Sequence, residues 1–172
     1  MNDCDIAKIK DFIPLFQVLL GGLLTFLGGI AGNFLIQRSQ RQSEKRNIAS
    51  AFAGEIEALL SIVEKRDYTK GIKDIIESIK QTQEKKKFYF KVRKNYFNIF
   101  EKNAEKIGLL DVPLPEKITT FYIQAFAILE DIENEEVLER ELNDIIYFHE
   151  ELLNLFEETI KLGKEILSII NK

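Results

Sequence analysis

Twenty-six consecutive residues, Phe12 to Gln37, carry no charge, and that run constrains the chain more than any other feature. A helix crossing the hydrocarbon core of a bilayer needs about 20 apolar residues, so the run is long enough to span with some tilt. Two other origins leave a similar trace. A signal peptide has a basic start and a shorter apolar region. Here the opening MNDCDIAKIKD holds three acids and two lysines, although Gly29-Ile30-Ala31 mimics a cleavage site. A core helix of a soluble protein rarely runs so long without a charge. The sequence therefore predicts a short N-terminus at 1–11, a transmembrane helix at 12–37 and a separate body at 38–172.

Orientation follows from the flanking cations, which stay on the cytoplasmic side. Arg38, Arg41, Lys45 and Arg46 follow the run, against Lys8 and Lys10 before it. The C-terminal body is expected in the cytoplasm. The single cysteine, Cys4, permits no internal disulfide and suggests no zinc site, consistent with a reducing compartment for that body.

On a helical wheel at about 100° per residue, Gly21, Thr25, Gly28 and Gly32 fall on one side of the span. Gly22, Gly29 and Asn33 adjoin them, while Leu19, Leu20, Leu23, Leu27, Ile30 and Phe34 cover the opposite side. Gly28-x-x-x-Gly32 is the spacing at which membrane helices approach closely, because missing side chains let backbones touch. A simple anchor with incidental glycines would show the same residues. Gln17, Thr25 and Asn33 add polar groups, which in a span face another helix or water, or sit near the interfaces.

The net charge of −4 hides a split. Residues 1–110 carry 19 Lys and Arg against 13 Asp and Glu, and residues 111–172 carry 5 against 15. Such a dipolar chain can pair its own halves or pair with copies of itself.

Beyond the span, helical periodicity predicts an all-α antiparallel bundle. The first helix continues through Ile48, Phe52, Ile56, Leu59, Leu60 and Val63 and ends near Arg66. Ile72, Ile75, Ile76 and Ile79 mark a short helix after Gly71, and Gln81 to Lys87 reads as a loop. Phe88 to Val92 alternates as an extended segment or opens a helix. Tyr96 to Ile107 forms the next helix, which Gly108 stops while Leu109 folds back beyond it. Pro113 and Pro115 keep the connection extended. Ile118 to Ile132 gives a further helix. Asn134 caps a last long helix from Val137 to Ile170, with a near-heptad apolar stripe that includes Leu138, Leu142 and His149, packing along the first helix.

Chemistry is sparse. One histidine excludes His-pair metal sites, no phosphate-binding glycine loop occurs, and no nucleophile or acid–base pair stands out. No enzyme activity and no cofactor are expected. His149 on an apolar stripe reads as a hydrogen-bonded core residue, and Arg140, nine residues earlier, makes with it a candidate polar site. Lys85, Lys86, Lys87, Lys91, Arg93 and Lys94, interleaved with Phe88, Tyr89 and Phe90, offer contacts to phosphates or lipid headgroups. A solvated loop that balances the acidic last helix explains the same residues, and direct nucleic-acid binding is not expected.

The glycine-rich span with its QRSQRQSEKR exit, the AFAGEIEALL segment and YFNIFEKNAEKIGLLDVPLPEKITTFY together resemble small single-pass bacterial membrane effectors. The layout is similar to the accessory membrane protein that accompanies type VI-B CRISPR nucleases. That family was linked to a divergent HEPN-type domain and assembles a pore that depolarises the infected cell. HEPN ribonucleases hold their Arg and His closer together in one helix than Arg140 and His149, which eight residues separate. The resemblance implies a homo-oligomeric ring in the bacterial inner membrane, acting in antiphage defence beside an RNA-guided nuclease or a nucleotide signal. The alternative is a membrane-tethered adaptor whose bundle binds a cytosolic partner.

Overall fold

The computed structural model describes residues 3–90 and 96–171, with side chains from Gln17 onward. Lys91, Arg93 and Lys94 lie outside the described residues. The described residues are all-helical, with no strand. Helix α1 runs Asp3–Lys65, α2 Tyr68–Thr82, α3 Asn98–Asn103, α4 Leu114–Glu133 and α5 Leu142–Ile170. Two 3-10 turns, Ala104–Leu109 and Glu135–Glu139, precede α4 and α5. The chain divides into an N-terminal unit, Met1–Glu44, and a C-terminal unit, Lys45–Lys172.

The N-terminal unit contains the uncharged run of α1. Among the described residues this is the one helix long and apolar enough to cross a membrane, with a mean hydropathy of 1.8 over its best window and none of that window buried. Leucines such as Leu19, Leu23 and Leu27 stand open to the surroundings.

The C-terminal unit buries two clusters. The first gathers Tyr68, Ile72, Ile76 and Ile79 of α2 against Ile145, Leu152 and Phe156 of α5. The second joins Ile48, Phe52 and Ile56 of α1 to Ile107, Leu110, Ile118, Phe121, Tyr122 and Ile166. Helix α5 meets α4 and α2 most extensively. It reaches α1 where Gly163 lets Leu60 approach.

Several local expectations change for physical reasons. Helix α2 starts at Tyr68 rather than after Gly71, because Asp67 takes a left-handed conformation (φ 49°) that turns the chain straight from α1 into α2. Phe88 to Phe90 has no regular structure. Its side chains alternate all the same, with Phe88 buried, Phe90 half-buried and Tyr89 turned out. Gly108 does not stop a helix in the left-handed region, since no described glycine has positive φ; it lies inside the 3-10 turn. Leu109 is exposed and Leu110 takes the buried place expected of it. Pro115 falls in the first turn of α4, where a missing N–H costs nothing, so the connection is a turn rather than an extended linker. The peptide bond between Val112 and Pro113 is cis. Asn134 does cap, accepting the Glu136 N–H at 3.0 Å, but what it caps is the 3-10 turn. The chain then extends through Arg140 and Glu141 before α5 begins at Leu142, so Arg140 is not on the helix of His149. Leu138 is exposed and Val137 is buried in its place.

Candidate functional site

In the N-terminal unit, Gly21, Gly22, Gly28, Gly29 and Gly32 meet no other part of the protein: a Cβ added at any of them would find no atom within 4 Å beyond the backbone of its own helix and its chain neighbours. None has positive φ. A helical interior glycine costs about 0.5–1 kcal/mol against alanine in a soluble helix, and neither backbone shape nor intrachain packing here requires it. Thr25 shares their side, and its hydroxyl donates to the Gly21 carbonyl at 2.8 Å, satisfying its proton within the helix. Asn33 is exposed on the adjoining arc. On the helical wheel, Val18 and Ile36 close the small side at its two ends. The stretch bare of large side chains, Gly21 to Gly32, is thus about 16 Å long.

In the C-terminal unit the polar groups are satisfied internally. His149 is fully buried. Its Nε2 accepts the Phe88 N–H at 3.1 Å, and its Nδ1 lies 2.7 Å from the Ile145 carbonyl. With an N–H facing Nε2 and a carbonyl facing Nδ1, the imidazole must be neutral, carrying its proton on Nδ1. Burial holds its pKa below the ordinary 6.5; the Ile145 carbonyl pulls the other way, and the nearby Lys87 charge adds to the lowering. The imidazole thereby fastens the segment after α2, and Phe88 and Phe90 pack on Tyr68, with the Phe90 and Tyr68 rings stacked at 4.1 Å. His149 is a structural anchor.

Arg140 stands apart from that anchor. Its guanidinium lies over the Phe148 ring at 5.5 Å, and its charge opposes the burial that raises the Asp131 carboxyl above its ordinary range. Of the cationic segment, Lys85 is exposed, and Lys86 donates to Ser78 Oγ at 2.7 Å while lying 3.4 Å from Glu84. Lys87 is half-buried. With Phe88 and Phe90 turned inward, Tyr89 alone of the three aromatics faces outward.

One polar centre escaped the sequence reading. Glu55 on α1 accepts the N–H groups of Ile99 at 2.7 Å and Phe100 at 3.0 Å, and the Tyr122 hydroxyl at 2.6 Å. Helix α3 lacks a side-chain cap of its own, so a carboxylate from another helix satisfies its first turn and meets its positive end. Burial, and then the Glu55 carboxylate, push the Tyr122 phenol far above its ordinary range, so it stays a donor. No local motif announces this cap; the partners lie 44 to 67 residues apart.

Among the described residues no group of three metal-ligating side chains gathers. Comparison with family models, curated proteins and solved structures yields no match. The resemblance to the type VI-B accessory protein therefore rests on sequence layout alone.

Proposed function

We propose that the chain is a homo-oligomeric membrane pore. In this reading the apolar part of α1 crosses the bacterial inner membrane, the C-terminal unit forms an antiparallel bundle in the cytoplasm, and copies pack through Gly21, Thr25, Gly28, Gly29 and Gly32. The carrying observation is that five span glycines lie open, with no use inside the chain. In lipid, close backbone approach between helices is what such residues supply. Val18 and Ile36 at the ends of the bare stretch would hold neighbouring helices apart beyond it. Asn33 on the adjoining arc supplies a polar group facing a neighbour or water. The layout shared with the CRISPR accessory protein adds a role in antiphage defence, permeabilising or depolarising the membrane.

Membrane-tethered adaptor function is the competing reading. It draws on a shallow groove beside Gly54, lined by Ser50, Ala51 and Ala58 in the C-terminal unit. A span swap separates the two. Replacing residues 12–37 with a leucine-rich anchor should abolish ion leak from protein-containing vesicles and reduce the detergent-purified particle to a monomer. Leak and assembly at the original level after the swap would assign the activity to the bundle and leave the span a tether.

A further inference from the structure

The two buried clusters of the C-terminal unit leave a space between them. It is a cavity of about 80 Å³, walled by Tyr68, Ile128 and Phe156 of the first cluster and by Phe97, Phe121 and Ala125 of the second. Protein interiors hold few voids larger than a water molecule. Polar side chains on this wall are already engaged. The Tyr68 hydroxyl accepts from the Arg66 guanidinium at 2.8 Å, and the Thr159 hydroxyl donates to the Leu155 carbonyl at 2.7 Å. A buried water needs about two to four polar partners, so a wall this apolar suits hydrocarbon instead.

Size narrows the occupant. An apolar cavity of about 150 Å³ takes a benzene ring, and this one has roughly half that volume, so the slender end of an alkyl chain fits where a ring does not. Leu59, Ile62 and Tyr96 line both this cavity and the groove beside Gly54, and all three are half-buried. The groove is larger, about 530 Å³. Ala51, Gly54 and Ala58 leave room along it for methylenes, and the exposed Ser50 and Asn98 can meet a polar head. Glu55 also lines the groove and is committed to Ile99, Phe100 and Tyr122. Its carboxylate repels a second anion, so the head that suits this groove is uncharged.

We propose that cavity and groove together hold one single-chain amphiphile with an uncharged, hydroxyl-bearing head. The end of its alkyl tail passes between Leu59, Ile62 and Tyr96 and fills the cavity. The rest of the tail lies along the groove, and the head meets Ser50 and Asn98. All these residues belong to the C-terminal unit, so the proposal holds whether or not the span forms a pore.

Dodecanol carrying a diazirine at its chain end tests this on the full-length protein in nanodiscs. Light activates the probe, and mass spectrometry of the peptides finds where it has bonded. Labelling should fall on cavity residues such as Phe121 and Ile160 and be displaced by excess plain dodecanol. Ala125→Leu fills the cavity and should cut that labelling about tenfold. Gly54→Leu should lower it as well by closing the groove, and it carries the test if Ala125→Leu fails to fold, because a side chain added at Gly54 meets no other part of the protein. Dodecanoic acid with the same label should react less, since its carboxylate would lie beside Glu55. Labelling confined to residues 12–37, or cavity labelling unchanged in the variants, would overturn the site. Equal labelling by the acid would overturn the uncharged head. Cavity labelling by a phospholipid with the diazirine at its acyl end, and not by dodecanol, would overturn the single-chain occupant.

Discussion

Glycine does opposite work in the two units. In the C-terminal unit, Gly71 and Gly163 are needed by neighbours in the same chain. A Cβ at Gly71 would come within 2.9 Å of Phe88, and one at Gly163 within 2.8 Å of Phe121 and 3.1 Å of Leu60. These glycines let aromatic rings lie against helix backbones. In the N-terminal unit, five glycines face empty space. Two glycines of the C-terminal unit, Gly71 and Gly163, are thus taken up by intrachain packing while Gly54 and Gly108 lie open, whereas in the N-terminal unit all five are left over. The polar side chains His149, Tyr122 and Glu55 likewise find their partners within the C-terminal unit.

The sharpest way to break this contrast is to fill both kinds of glycine. Gly28→Ile with Gly32→Ile should abolish assembly and vesicle leak while leaving the denaturation midpoint of the C-terminal unit unchanged, because nothing in the chain touches those positions. Assembly by mass photometry that survives the double substitution would show that the leftover glycines are incidental. Gly163→Val should do the reverse. It should keep the span competent yet cost the C-terminal unit about 2–3 kcal/mol, since Phe121 and Leu60 must be displaced from a packed core. Chemical denaturation reads that loss, and an unshifted midpoint would mean the core yields freely.

Acid tests the self-sufficiency of the polar groups. His149 has a folded pKa below its unfolded value near 6.5, so between the two the unfolded chain binds more protons. Stability of the C-terminal unit should be complete above about pH 6.5 and fall as pH drops below it, by at most about 1.4 kcal/mol per pH unit. His149→Gln should flatten that part of the profile; a profile that keeps its slope would assign the titration to other groups. The smallest expected effect has the opposite sign. Gly54 is a helical glycine of the C-terminal unit with open space around it, so Gly54→Ala should raise stability by about 0.5–1 kcal/mol. A loss instead, seen in the assembled state alone, would show that the groove beside Gly54 also receives a neighbour.

Much of the helical layout was legible because it is written in local periodicity. Ile72, Ile76 and Ile79 of α2, and Ile118, Phe121 and Tyr122 of α4, sit in the core as their spacing predicts. The failures fall at junctions. Gly108 carries a strong stop signal, yet the chain tightened into a 3-10 turn and buried Leu110 rather than Leu109. The acidic stretch after Asn134 reads as a helix start, yet Arg140 and Glu141 are extended, which separated Arg140 from the helix of His149. At such points two or three local conformations are close in energy, and packing against distant residues selects among them.

By itself, the sequence determined that the chain is helical, that one helix carries a long uncharged stretch, and where along it the small residues gather. Those properties depend on neighbours within a turn or two. Tertiary structure alone decided that the Glu55 carboxylate caps α3, that the His149 imidazole holds the Phe88 backbone, and that Gly71 and Gly163 are spoken for while the span glycines are not. A hydrogen bond between residues 44 or 61 positions apart leaves no periodic trace, and the space beside a glycine exists only once the other helices are in place.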